Sequence, residues 1–126
     1  MRIASLVLSV ALMTSQARAE LMITGIGANP CTFLNANTRS GDGWATNAFT
    51  LGAMAWMQGF MSGANVMIRE AQKKIYDLDT ISRDQQWAYV MEFCRRNPDR
   101  NISRAVEDLM LRRLRIMPAA IPLKGH

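Results

Sequence analysis

The sequence predicts an all-α fold: a small single domain of three or four helices with one disulfide. Three observations carry this. A run from Gly43 to Ile68 has no charged residue and spaces its polar side chains as a helix would. Two later segments combine helix-start signals with amphipathic spacing. Cysteine occurs twice, at Cys31 and Cys94.

The N-terminus sets the compartment. One positive charge at Arg2 precedes an apolar segment over residues 3–13, too short to span a bilayer, and then Ala17-Arg18-Ala19 supplies a small-x-small cleavage site. Residues 1–19 read as a secretory signal peptide and imply a periplasmic protein. Removal of Arg2 and Arg18 leaves 13 Lys and Arg against 10 Asp and Glu, a mild net charge of +3. The remaining 107 residues suit one domain with a modest core. In an oxidising compartment, two cysteines in a small exported domain read as a disulfide, with a pair of free thiols as the rival; no Cys-x-x-Cys is present for redox work.

The charge-free run is long enough to raise a membrane span. Its polar residues Gln58, Ser62 and Asn65, followed by Arg69, fall at steps of four, three and four, which places them on one helical stripe. Trp56, Phe60, Met67 and the small row Ala55, Gly59 and Gly63 lie beside and opposite. A core helix with one edge near water is therefore favoured over a span. Glycines inside a helix cost about 1 kcal/mol each, so the pair at Gly59 and Gly63 is expected to mark a close approach of another backbone. Met54, Met57, Met61 and Met67 make the segment adaptable.

The next helix starts at a capping box, Ser82 with Gln85, and carries Trp87, Val90, Met91 and Cys94 on one face before Pro98 ends it. Another begins after Asn101 and buries Ile102, Ala105, Val106, Leu109, Met110 and Leu114. Arg104, Asp108 and Arg112 are expected to form i, i+4 charge pairs outside. Residues 20–43 read as an irregular segment around Cys31, residues 44–117 as the helical domain and residues 118–126 as a flexible tail.

Catalytic groups are scarce. The only histidine is His126, the last residue, so no triad or dyad has a positioned base, and one histidine with two cysteines does not complete a zinc site. Asp77 and Asp79 precede a helix and are expected to cap or solvate it. Gly59 and Gly63 lack the strand and the further Gly or Lys of a nucleotide-binding loop. The reading is a non-enzyme with no cofactor and no metal. Arg95, Arg96, Arg100, Arg104, Arg112, Arg113 and Arg115 concentrate positive charge, but Glu107 and Asp108 interrupt it and an exported chain rarely meets nucleic acid; a solvated helix face, an anionic head group or an acidic protein partner remain as readings.

An exported chain with Cys31 in "CTFL", a central helix, and "YVMEFCRRNPDRNISRAV" around Cys94 resembles the HdeA/HdeB-like family of periplasmic acid-stress proteins. The pattern formed by Trp56, Gly59, Phe60, Ser62, Gly63 and Asn65 is similar to a motif in an uncharacterised branch of that group. The resemblance implies an all-helical fold, a Cys31–Cys94 disulfide, a homodimer, and acid-activated, chaperone-like binding of unfolded protein clients under stress. The alternative from another class is a periplasmic immunity or inhibitor protein against a secreted effector, or an exported structural domain.

Overall fold

The computed structural model describes residues 23–119; the expected signal peptide, most of the tail and His126 lie outside them. Four α-helices, α1 (Cys31–Ala36), α2 (Ala48–Gln72), α3 (Arg83–Arg96) and α4 (Ile102–Arg113), are joined by two short strands, β1 (Lys74–Tyr76) and β2 (Ile116–Pro118). The strands pair antiparallel, with Ile75 opposite Met117. The chain is thus mostly helical but not all-α. Met117 and Pro118, expected at the edge of a flexible tail, belong to this ribbon.

The described part of the expected irregular segment, residues 23–43, is also more ordered than its turn-rich composition predicts. A 3-10 turn (Ile26–Ala28) precedes α1, a helix too short to persist alone. Tertiary bonds hold it: Cys31 N–H donates to the Arg100 carbonyl at 2.6 Å, Thr32 N–H to that of Pro98, and Ile102 N–H to that of Asn29. The Cys31–Cys94 disulfide then fixes α1 to α3. Asn35 Nδ2 adds a bond to the Cys94 carbonyl.

Helix α2 starts at a capping box the sequence reading passes over: Asn47 Oδ1 accepts from Thr50 N–H while Thr50 Oγ1 accepts from Asn47 N–H. It buries Thr50, Ala53, Met54, Met57 and Met61, a stripe at helical spacing. It ends at Lys73, whose left-handed conformation (φ 57°) turns the chain into β1. The expected box at Ser82 and Gln85 opens α3, and Trp87, Val90, Met91 and Cys94 are buried as the spacing requires. The six expected positions, five in α4 and Leu114 at its C-cap, are all buried. Asn101 stands at its N-cap without a side-chain capping bond. One core results, with α1 and α4 against α3, and α2 across α4 and the 3-10 turn.

Candidate functional site

The outer face of α2 is the first candidate, and it differs from expectation. Of the four polar residues, Ser62 and Arg69 face water as expected, whereas Gln58 and Asn65 are half-buried and bonded into the fold. Gln58 Nε2 donates to Oε1 of the buried Gln86 at 2.7 Å, and Gln86 Nε2 donates onward to the Leu78 carbonyl at 2.7 Å. Asn65 pairs with the backbone of Tyr76 in both directions at 2.8 Å, binding β1 to α2. The amide side chains face the fold because main-chain and side-chain partners wait there.

The small row turns outward instead. Ala55, Gly59, Ser62 and Gly63 are exposed. A Cβ placed at Gly59 or Gly63 would meet nothing within 4 Å, so the close backbone approach expected there is not made among the described residues. Large apolar groups flank this row, Leu51 at 47% exposure, Val66 at 52% and Met67 at 72%. From Leu51 to Met67 the face is about 24 Å long at 1.5 Å per residue, and it carries no charge.

The motif that carries the family resemblance therefore divides. Trp56 and Phe60 stack on each other, ring centroids 5.1 Å apart, and the indole N–H donates to the Thr24 carbonyl. The six-membered ring of Trp56 occupies the space above Gly27, where a Cβ would stand 1.8 Å from Cη2. Trp56, Phe60 and Asn65 thus anchor α2 to its neighbours, while Gly59, Ser62 and Gly63 form the open side.

The second candidate is a groove of about 690 Å³ between α3 and α4, over Ala88, Tyr89 and Phe93 and bordered by Arg96, Arg112 and Arg113. The Tyr89 hydroxyl donates to Asp108 Oδ2, and Arg112 Nε donates to Asp108 Oδ1 at 2.9 Å. Of the charge pairs expected on α4, Asp108–Arg112 is formed, whereas Arg104 pairs with Glu107 at 2.7 Å. Burial acts first to raise the Asp108 carboxyl, but bonds from Tyr89 and Arg112 and the charges of Arg112 and Arg104 outweigh it and hold its pKa below the ordinary value. Burial pushes the Tyr89 phenol up, as do its bond to Asp108 and that carboxylate's charge, against Arg112 and Arg113. The guanidinium of Arg113 lies 5.7 Å from the Tyr89 ring centre.

Sequence spacing could not show this groove. Tyr89 and Phe93 follow a helical step, but their apposition to Asp108 and Arg113 depends on the α3–α4 crossing. Asp77, expected to cap or solvate, instead ties the ribbon to its turn: its carboxylate accepts from Arg115 at 2.8 Å and from Asp79 N–H. No group of histidine, cysteine, aspartate and glutamate among the described residues could hold a metal ion, and no helix there is long and apolar enough to cross a membrane. Comparison with protein-family models, curated proteins and solved structures finds no match to the chain.

Proposed function

We propose that this is an exported, disulfide-braced helical protein that binds unfolded protein clients along the outer face of α2, as an acid-stress chaperone-like factor of the periplasm. The observation that carries the reading is that face: about 24 Å of exposed helix with Leu51, Val66 and Met67 outward and no charge between Gly43 and Ile68. That length accommodates about seven residues of extended client chain. The disulfide suits an oxidising compartment.

Acid is the condition that fits such a face. Protonation of the ten carboxyl side chains and His126 takes the side-chain charge of residues 20–126 from +3 to +14, which favours dissociation of a homodimer by self-repulsion. The outer face of α2 has no group to titrate, so it stays apolar while clients denature. The test is suppression of aggregation of an acid-denatured client between about pH 2 and 4, where carboxylates titrate. Val66→Lys with Met67→Lys, whose charges persist in acid, should abolish suppression in the same assay at unchanged thermal stability. Absence of suppression by the oxidised wild-type protein in acid refutes the reading.

A further inference from the structure

The α3–α4 groove differs in chemistry from the outer face of α2. Its charges are unevenly matched. Glu92 already serves both Arg95 and Arg96, at 3.6 and 2.8 Å. Asp108 is committed to Arg112 and to the Tyr89 hydroxyl. Arg113 forms no ion pair among the described residues; it is exposed, with its guanidinium over the Tyr89 ring. Three guanidiniums therefore border a groove that holds two carboxylates, both in use.

The floor is of a different kind. Ala88 is exposed, and Tyr89 and Phe93 are half-buried, giving an aromatic surface open to an apolar side chain. The hydroxyl of Tyr89 is turned toward α4 by Asp108, which fixes the ring in place. An occupant must then satisfy two demands a few ångströms apart: an apolar group on the floor and one negative charge at Arg113. From this juxtaposition we infer that the groove binds an acidic segment of a partner protein, one that carries a carboxylate next to an aromatic or large aliphatic side chain.

Charge complementarity favours a chain over a membrane. A flat anionic surface pressed on the groove would bring phosphates against Glu92 and Asp108 as well as the arginines. The volume also falls within the usual range for binding clefts.

The test is a titration of the isotopically labelled, oxidised protein at pH 7 with a blocked peptide of alternating Asp and Phe, followed by amide shifts. The expected result is movement of the Ala88, Tyr89, Phe93 and Arg113 amides, and a weakening of about five-fold on Arg113→Gln, the scale of one exposed ion pair. Arg39→Gln removes the same charge from a residue outside the groove's lining and should leave the affinity within two-fold of wild type. Equal losses in both variants would reduce the effect to net charge and overturn the inference. So would equal binding of a control peptide with Asn in place of each Asp, an absence of shifts, or Arg113-dependent sedimentation with phosphatidylglycerol vesicles in place of peptide binding. Client binding by α2 is read separately by the Val66 and Met67 variant, so either surface can fail alone.

Discussion

Replacing Gly59 by Ala should stabilise the protein, whereas the same replacement at Gly27 should destabilise it. Gly59 sits mid-helix in α2, is exposed, and offers a new Cβ open space. A glycine there leaves the unfolded chain with extra freedom to lose, so Ala is expected to gain about 1 kcal/mol. For a domain of this size that raises Tm by roughly 4–8 °C. Gly63 is equally open, and the double variant should approach twice the effect. At Gly27 the sign reverses, because a Cβ would overlap Trp56 at 1.8 Å from Cη2 and 2.1 Å from Cζ2. The indole is not free to swing, being stacked on Phe60 and bonded to Thr24. Overpacking of this kind costs about 1–3 kcal/mol. Thermal unfolding of dilute oxidised protein, with mass followed by light scattering, measures all three. A loss of stability at Gly59 or Gly63 would refute the reasoning and mean that a neighbouring chain fills the outer face of α2.

Two further outcomes follow from the polar contacts. Asp108→Asn should cost about 1–2 kcal/mol at pH 7, the scale of a lost charged hydrogen bond. Since the folded pKa of Asp108 is lowered, its contribution is present above the unfolded value near 4 and is lost as pH falls through the folded value, so wild type and variant should converge in acid; parallel stability curves down to pH 2 would refute this. Asn65→Ala removes both side-chain bonds to Tyr76 and should speed hydrogen exchange at Tyr76 and across β2, with α3 amides unchanged. Exchange at Tyr76 equal to wild type would show that the ribbon does not depend on α2.

Helices α3 and α4 were legible because each carries its own evidence: polar and apolar residues alternate at helical spacing, and Ser82 or Asn101 marks the start. In α2 the existence of the helix was legible but its orientation was not. With no charge from Gly43 to Ile68, every face looks nearly alike, and the residues that break the tie, Gln58 and Asn65, find partners 28 and 11 residues away. Glycine at positions 59 and 63 signals a packed seam or an empty side with equal force. The ribbon joins Lys74 to Pro118 through strands of three residues, below any periodicity. Helix α1 takes its order from Pro98, Arg100 and Cys94, none of them local. The α3–α4 groove likewise exists only once two helices cross.

The Cys31–Cys94 bond closes a covalent ring around all of α2 and β1 and leaves α4 and β2 outside it. Unfolding of the oxidised protein is therefore expected to yield a closed loop with a pendant C-terminal segment rather than an open chain. The ring keeps both ends of α2 tethered whenever the fold opens, which limits how far the core can swell. Recovery is short-ranged as well, because Ile102, the first residue of α4, lies only eight positions beyond Cys94, so its return is a local search with little loop-closure entropy to overcome. The ring thus acts as a template for refolding of the oxidised protein.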